Sequence, residues 1–209
     1  MEQFLGRKLN EKERERAPRW LYVAGPLPIP VLGFKVSVVG TRRPSDTGRC
    51  VDVVKELVKR GVIIVSGLAR GIDTIAHKTA IGEGGKTIAV LPTSLDVCYP
   101  PENAELLERI KKEYLAVSQF PVGSVLRREN FLARNRTMAL LSEATVIVEA
   151  GERSGTIAQG WECIRLGRPL LGHTSLLKYE WFRRMTKRGA KAFESVDDLI
   201  EILVLGSER

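Results

Sequence analysis

Short runs of apolar residues alternate along the chain with longer segments that show helical spacing. From Phe34 onward the runs FKVSVVG, VIIVSG, TIAVL, YLAVS, ATVIVEA and RPLLG predict six buried β-strands. Helical spacing predicts helices over 48–60, 70–81, 103–112, 130–142, 156–166, 175–188 and 195–203. Strands that are apolar throughout and separated by helices are typical of a parallel sheet covered on both faces. The pattern therefore predicts an α/β fold with a doubly wound, mostly parallel sheet.

The beginning of the chain does not follow this alternation. Residues 1–19 are mostly charged and lack an apolar stripe, so we expect a solvated arm or a frayed helix. Residues 20–33 are apolar but contain three prolines, which favours an extended lead-in because proline lacks the N–H group of a β-ladder. At 209 residues the chain is close to the size of one domain. We therefore predict a charged N-terminal arm at 1–19 and a single domain at 20–209 that includes basic C-terminal helices.

Composition narrows the class of protein. The formal net charge of +8 and the isoelectric point near 9.6 favour a polyanionic partner. Cys50, Cys98 and Cys163 lie far apart with no C-x-x-C pair, which argues against a disulfide scaffold or a thiolate zinc site and fits a reducing cytosol. No apolar run reaches the ~18 residues of a membrane span. These features predict a cytoplasmic protein that has no membrane contact and binds neither a metal nor a cofactor.

The positive charge is concentrated near the end of the chain. Residues 160–191 contain eight basic and two acidic side chains, which is +6 of the total of +8. In the predicted helix over 175–188, one face contains Leu177, Trp181 and Met185, and another face contains the basic side chains Arg184, Lys187 and Arg188. This basic face is either solvated or in contact with a nucleic acid, and the sequence leaves both interpretations open.

Five loops follow the carboxyl ends of the predicted strands, where open parallel sheets bind their ligands. They cover residues 40–48, 66–73, 91–103, 118–130 and 149–156. Three of them are rich in glycine and four contain arginine. Glycine lets a backbone approach a ligand closely, helix N-termini attract anions, and arginine binds phosphate bidentately. Together the loops predict a phosphate-binding site, although the glycines could instead serve only to make tight strand-to-helix turns.

Three other motifs indicate structure rather than catalysis. The segment AIGEGGKT at 80–87 matches the loose P-loop pattern, but a helix precedes it and a strand follows, which is the reverse of the P-loop order. The segment GERSG at 151–155 is one residue off G-x-S-x-G. His77 follows Asp73 by four residues inside a predicted helix, which favours a structural hydrogen bond over a catalytic role.

Seven segments of the sequence resemble the DprA/Smf family, the DNA-processing proteins of bacterial natural transformation. The similarity runs from about Pro18 to Gly172, and SGLARGID and RNR in this order are highly specific. The matching segments are YVAG (22–25), VVGTRRPS (38–45), GVIIVSGLARGIDTIAH (61–77), TIAVL (87–91), YPPEN (99–103), FLARNR (131–136) and VIVEAGERSGT (146–156). The resemblance implies an extended Rossmann-like fold that binds and protects single-stranded DNA without known catalysis. It also implies a homodimer that helps to load a RecA-type recombinase.

The resemblance also implies which residues bind DNA. Arg42, in the family's G-S/T-R motif, is expected to clamp a phosphate. The complete predicted set is Gly40, Thr41, Arg42, Arg43, Ser66, Gly67, Arg70, Phe131, Arg134, Asn135, Arg136, Ser154, Gly155 and Thr156. The chain departs from the family pattern at Ser118–Gln119, where Ser-Glu is usual, and at SGTIAQG, where SGSLITA is usual. From the resemblance we expect the family's N-terminal helical domain to be reduced to at most a short arm and its C-terminal winged-helix domain to be absent.

Two alternative functions use the same loops. The first is an enzyme of the lysine-decarboxylase-like (LOG) superfamily that acts on a nucleoside monophosphate. In that superfamily a P-G-G-x-G-T-x-x-E motif supplies the carboxylate, but here Ala158 and Gln159 occupy the corresponding positions. Glu162 lies one turn further on and could serve only if it points into the pocket. The second alternative is a small-nucleotide sensor without chemistry, which the sequence does not separate from a DNA-binding protein.

Overall fold

An eight-stranded sheet forms the centre of the structure, a computed structural model that describes residues 1–207. Residues 208 and 209 of the predicted domain lie outside the described residues. The strand order is β1-β5-β4-β3-β2-β6-β7-β8, with β1 antiparallel to β5 and all other neighbours parallel. The strands are β1 (Tyr22–Ala24), β2 (Lys35–Val39), β3 (Ile63–Ser66), β4 (Thr87–Leu91), β5 (Leu115–Ser118), β6 (Ala144–Ile147), β7 (Leu170–His173) and β8 (Lys191–Phe193).

Helices cover both faces of this sheet. The α-helices are α1 (Glu2–Leu5), α2 (Glu11–Arg16), α3 (Thr47–Lys59), α4 (Ile72–Gly82), α5 (Ala104–Glu113), α6 (Arg128–Leu141), α7 (Thr156–Arg165), α8 (Glu180–Thr186) and α9 (Val196–Ser207). Two 3₁₀ helices lie at Pro101–Asn103 and Thr174–Lys178. Alternation along β2 shows the two layers: Val39 packs on the side of α6, whereas Val36 and Val38 pack on the side of α3. The predicted α/β, doubly wound, mostly parallel fold is confirmed.

The centre of the sheet is the point where the order of strand addition reverses. β2 lies between β3 and β6, so β3 to β5 extend the sheet on one side and β6 to β8 extend it on the other. Loops that leave β2 and β6 at their carboxyl ends therefore separate and leave a crevice, the usual binding position in doubly wound folds. We call this side of the sheet the carboxyl edge and the opposite side, where the parallel strands begin, the amino edge.

The N-terminal segment differs from the prediction. Phe4 and Leu9 are buried, and Glu13 is 2% exposed. The Glu13 carboxylate accepts hydrogen bonds from Arg7 and from Arg168, the latter at 2.6 Å, and it completes a capping box with Asn10 at the start of α2. The expectation of a solvated arm or frayed helix is therefore wrong for this segment, because a charged residue can be buried when arginine partners compensate it. The boundary at residue 19 stays a prediction.

The two ends of the sheet contain strands that the sequence pattern did not predict. β1 forms in the proline-containing segment 20–33, where only an extended lead-in is predicted, and β8 forms between two predicted helices. The predicted helix over 175–188 is divided, because Tyr179 has an extended backbone between a 3₁₀ helix and α8. Trp181 and Met185 are buried as the helical face predicts, but Leu177 is 38% exposed. Among the described residues, the helices lack the length and apolar character that a membrane span requires.

The P-loop-like segment is a turn, as predicted. α4 ends at Gly82 and β4 begins at Thr87, so no helix N-terminus follows the glycines. His77 is fully buried in α4, and its Nδ1 atom lies 2.7 Å from the Thr87 hydroxyl. Burial lowers the pKa of His77 to about 3, so the imidazole is neutral at physiological pH. His77 therefore forms a structural hydrogen bond, but its partner is Thr87 of β4 and not a group on the face of its own helix.

Candidate functional site

A cavity of about 490 Å³ opens at the carboxyl edge, where β2 and β6 end. Nine of the fourteen predicted DNA-binding residues line this first cavity: Gly40, Thr41, Arg42, Phe131, Arg134, Asn135, Ser154, Gly155 and Thr156. The rest of its wall comes from Val39, Ala69, Asp73, Met138, Gly151, Arg153 and Gln159. The loops after β2, β3 and β6 therefore meet helices α6 and α7 around one volume.

A second, smaller cavity of about 30 Å³ adjoins the first. The two share Arg42, Ala69, Phe131 and Arg134. The second cavity adds Gly67, Arg70, Pro92, Tyr99 and Pro100 from the loops after β3 and β4. Arginines and glycines from loops that are distant in sequence thus lie along one continuous stretch of the carboxyl edge, as the loop analysis predicted.

Arg42 is exposed at the boundary of the two cavities. Its guanidinium carbon lies 5.7 Å from the centroid of the Phe131 ring, a cation–π distance. The Phe131 ring contacts Tyr99 edge-to-face at 5.5 Å. Among residues 1–207, Arg42 has no carboxylate within ion-pair distance. The guanidinium is therefore held near an aromatic surface while its hydrogen-bond donors remain available to an anion.

The loop that contains Arg42 is held by Glu149, which follows β6. The Glu149 carboxylate accepts hydrogen bonds from the backbone N–H of Ser45 at 3.0 Å and from its hydroxyl at 2.9 Å. The Glu149 carbonyl accepts a bond from the N–H of Thr41 at 2.7 Å. These bonds connect the loop after β2 to the loop after β6 on both sides of Arg42, so they fix the position of this arginine.

Arg134 is buried and binds the protein itself. Its Nη1 group donates to the carbonyls of Gly67 and Val90, and its Nε donates to the Asn135 amide oxygen at 3.0 Å. A Cβ atom on Gly67 would overlap this guanidinium, so a larger residue there would displace Arg134. Burial lowers the pKa of Arg134 and raises that of Asp73, while the opposite charges of the two groups counter both shifts. Arg134 therefore supports the loop after β3 more than it presents charge to a ligand.

The N-terminus of α7 forms the opposite wall of the first cavity. The Ser154 hydroxyl accepts a hydrogen bond from the N–H of Thr156 at 3.2 Å, and the Thr156 hydroxyl donates to the Gly40 carbonyl at 3.2 Å. Asn135 donates to the Gly155 carbonyl at 3.2 Å, which connects α6 to this turn. A Cβ atom on Gly155 would meet no atom within 4 Å, so the backbone here borders open space. The helix dipole and free N–H groups favour an anion at this position.

Three predicted residues lie away from both cavities. The Ser66 hydroxyl is fully buried and donates to the Val38 carbonyl at 2.7 Å. Arg43 is exposed next to Arg42 but lines neither cavity. Arg136 lies one residue beyond Asn135 on α6, so the helical turn directs it away from the cavity and toward Glu162 of α7, at 3.7 Å.

Arg70 lines the second cavity but already has an acidic neighbour. Its guanidinium forms an ion pair with Glu102, and both side chains are largely exposed. The pKa of Glu102 is lowered mainly by its hydrogen bond to Arg70. An exposed pair of this kind contributes little to stability, so a phosphate could replace the carboxylate. Arg70 thus differs from Arg42, which has no such competitor among the described residues.

Several residues that line the cavities were not predicted from the sequence as binding residues. Tyr99 belongs to the YPPEN segment, which carried the resemblance but was not assigned a role. Asp73 accepts hydrogen bonds from the N–H groups of Gly67 at 3.2 Å and Ala69 at 3.4 Å, and so shapes the loop after β3. Its position in GLARGID was the available signal. Gln159 was noted in the sequence only because it replaces a carboxylate of the LOG motif; its Oε1 atom is buried without a hydrogen-bond partner among the described residues.

The geometry gives no support to catalysis of the LOG type. Glu162, the remaining candidate carboxylate on α7, does not line the first cavity. It is 5% exposed and its Oε1 atom is 2.7 Å from Arg165. Gln159, which does line the cavity, has no ionisable group. Within residues 1–207, no group of three or more His, Cys, Asp or Glu side chains is arranged to hold a metal ion.

The sequence is similar to a family of known DNA-processing proteins. The family model for DNA recombination-mediator protein A matches residues 7–204. The DNA processing protein DprA of Bacillus subtilis is 31% identical over 191 residues, which cover 89% of this chain and 64% of that protein. The curated relatives are longer: the chain spans between 31% and 64% of the length of each one that it matches.

Two solved structures extend the comparison to three dimensions. DNA processing protein A of Streptococcus pneumoniae superposes with a TM-score of 0.79 at 33% identity and covers 92% of this chain and 71% of that one. DNA processing protein A of Helicobacter pylori superposes with a TM-score of 0.78 at 28% identity and covers 94% of both chains. The latter structure describes the single-stranded DNA binding mode of the Helicobacter pylori protein.

Proposed function

The chain belongs to the DNA recombination-mediator protein A family, and from that premise we propose that it binds single-stranded DNA at the carboxyl edge. The strand backbone occupies the first cavity, between Arg42 and the N-terminus of α7, and a base contacts Phe131 and Tyr99 near the second cavity. This arrangement combines phosphate recognition with aromatic stacking, as proteins that bind single strands without sequence preference do.

One observation supports this proposal above all others. The Arg42 guanidinium lies over Phe131 at the boundary of a cavity of about 490 Å³, so one residue pair offers both a charge for a phosphate and a ring for a base. The opposite wall is a helix N-terminus, which adds donors without a competing carboxylate. A single extended backbone with unstacked bases fits such a site, whereas a duplex would have to unpair to reach it.

The family resemblance extends the proposal beyond binding. We propose that the protein protects bound single strands in the cytoplasm during DNA processing, without enzymatic activity. We propose also that it acts as a homodimer and delivers the strand to a RecA-type recombinase. Sedimentation of the purified chain with and without oligonucleotide tests the dimer, and strand-exchange assays with a RecA-type recombinase test delivery. A monomer that does not stimulate strand exchange would overturn both statements.

The experiment for DNA binding compares two arginine variants of equal charge. Arg42→Ala should weaken binding of an oligothymidylate about 10- to 100-fold, which is the usual loss for a charged hydrogen bond. The slope of log K against log salt should become shallower by about 0.7 for each phosphate that the variant no longer neutralises. Arg60→Ala is the control, because Arg60 lies at the end of α3 on the amino edge and is 44% exposed. Fluorescence anisotropy at several salt concentrations gives both quantities.

The outcomes separate the proposal from its alternatives. Loss of affinity in Arg42→Ala with an unchanged Arg60→Ala supports binding at the carboxyl edge. Equal affinity of the two variants would contradict it. Calorimetric titration with nucleoside monophosphates tests the nucleotide-sensor alternative. Tight binding of a mononucleotide together with weak binding of oligonucleotides would favour that alternative. Release of free base from the mononucleotide would indicate an enzyme.

A further inference from the structure

Trp20 is unusually exposed for a tryptophan. Its side chain is 64% accessible, and the guanidinium carbon of Arg19 lies 5.7 Å from the centroid of its ring. The other two tryptophans are different: Trp181 is buried, and Trp161 packs against the core. Arg19 and Trp20 are both exposed, so neither side chain contributes to the packed core. The exposed position of the Trp20 ring therefore has no explanation in the stability of the fold.

The register of β1 places Trp20 on the carboxyl edge. β1 runs antiparallel to β5, and Tyr22 is paired with Ser118, the last residue of β5. Trp20 precedes Tyr22 by two residues and therefore lies beyond the carboxyl end of β5. Leu32 is also strongly exposed, at 75%, but it lies between β1 and the start of β2 and so belongs to the amino edge. Trp20 thus shares the edge that contains both cavities.

The surface between the cavities and Trp20 exposes apolar side chains together with charges of both signs. β1 and β2 are separated by β5, β4 and β3, so the distance along the edge is roughly 19 Å, from the usual spacing of strands. The loop after β4 exposes Val97, and the loop after β5 exposes Val122 and Val125. Arg127 and Arg128 are also exposed at the end of the latter loop, as are the acidic residues Asp96 and Glu129. The three valines offer apolar surface to bases and the two arginines offer positive charge to phosphates, the two features that a single strand requires.

We propose that Arg19 and Trp20 form a second base-stacking site for single-stranded DNA, reached by a strand that continues from the second cavity across β4 and β5. A base stacks on the free face of the Trp20 ring, and the Arg19 guanidinium on the other side neutralises the adjacent phosphate. This inference rests on the proposed function, since it extends the same bound strand.

The chemistry of the pair favours a nucleotide over an apolar protein surface. Stacking on an indole face tolerates any base, because every base has a planar π-face. A nucleotide also brings a phosphate, and Arg19 supplies a positive charge next to the ring. An apolar protein partner would leave that guanidinium buried without an acidic group, which is unfavourable. Single-stranded DNA therefore matches both members of the pair.

The experiment uses two lengths of oligothymidylate, about three and about twenty nucleotides, so that the shorter one cannot span the roughly 19 Å along the edge to Trp20. In the unmodified protein the longer strand should bind more tightly and should quench the fluorescence of Trp20. Trp20→Ala should lower the affinity for the longer strand about tenfold and leave the shorter one unchanged, whereas Trp20→Phe should retain most of the affinity. Leu32→Ala is the matched control, because it removes an equally exposed apolar side chain from the amino edge.

The results distinguish this inference from the proposed function. If neither length binds, the proposed function fails. In a second outcome, both lengths bind and Arg42→Ala weakens the binding of both, but Trp20→Ala weakens the binding of neither. The proposed DNA-binding function then stands and the Trp20 site is wrong. An absence of quenching by the longer strand would likewise contradict the Trp20 site. Equal losses for both lengths in Trp20→Ala would also overturn the inference, because they would place Trp20 in the first contact region.

Discussion

Arginine side chains occupy both edges of the sheet, but their surroundings differ. At the amino edge, Arg168 donates to the carbonyls of Ala139, Leu140 and Ser142 at the end of α6, and it forms an ion pair of 2.6 Å with Glu13. At the carboxyl edge, Arg42 lies over an aromatic ring beside an open cavity. Arg168 is 11% exposed, whereas Arg42 is exposed.

The difference shows how one residue type serves stability at one edge and binding at the other. Arg168 satisfies carbonyls that the last turn of α6 leaves free, and its charge is compensated by a buried carboxylate. The loop that contains Arg42 is fixed by hydrogen bonds to Glu149, and the Arg42 guanidinium takes no part in them. Its positive charge is therefore available to a ligand. In this protein, a structural arginine therefore differs from a binding arginine in its hydrogen-bond and ion-pair partners, since both carry the same charge.

The largest effect is expected from Arg168→Ala. The substitution leaves Glu13 buried with one partner fewer and frees three carbonyls, so the free energy of unfolding should fall by about 3–5 kcal/mol. Urea denaturation followed by circular dichroism measures the change. The control is Arg184→Ala, whose side chain is 71% exposed in a loose ion pair and should contribute less than about 0.5 kcal/mol. Similar stability of the two variants would show that the amino-edge cluster does not hold the fold.

Acid should weaken the amino edge through Glu13. The bonds from Arg7 lower the pKa of Glu13 from 4.5 to about 2, so its contribution is fully present above pH 4.5 and declines as the pH falls toward 2. A shift of this size corresponds to about 3 kcal/mol. The unfolding free energy of Glu13→Gln should therefore lie below that of the unmodified protein at pH 7, and the difference should narrow with acid. Parallel pH profiles would refute this.

An intermediate effect is expected at the carboxyl edge from Glu149→Ala. The loop around Arg42 would lose its bonds to Ser45, so affinity for an oligothymidylate should fall about tenfold through a less ordered Arg42. The free energy of unfolding should change by less than about 1 kcal/mol, because this loop is on the surface. Glu149→Gln keeps one acceptor and should recover part of the affinity. A variant that binds DNA normally would show that Glu149 does not position Arg42.

The smallest effect is expected from Arg136→Ala, although Arg136 belongs to the same RNR segment as Arg134. Its side chain is 48% exposed and lies 3.7 Å from Glu162, which keeps Arg165 as a closer partner at 2.7 Å. Stability should change by less than about 0.5 kcal/mol, and oligonucleotide affinity should change by no more than about twofold. An affinity loss equal to that of Arg42→Ala would mean that the strand passes over α6 as well.

The RNR segment illustrates how far the sequence predicts the site. Its resemblance to a family motif indicated that the segment matters, and Asn135 does line the first cavity. The motif did not distinguish Arg134, which is buried and supports a loop, from Arg136, which faces α7. That distinction depends on the orientation of α6 against the sheet and against α7. A local motif contains no information about this packing.

Most elements of the fold could be predicted from the amino-acid sequence alone, since apolar spacing records which residues of a helix or strand face the core. The shared position of the glycine- and arginine-rich loops on the carboxyl edge was also predictable, because parallel strands end on one side. Three-dimensional packing was needed to show which charges are compensated. Glu13 and Arg168 are 155 residues apart in sequence yet form an ion pair, whereas Arg42 has no such partner among residues 1–207. The packing of segments that are distant in sequence determines which charged side chains become ion-pair partners. A local pattern of residues therefore does not predict these pairs.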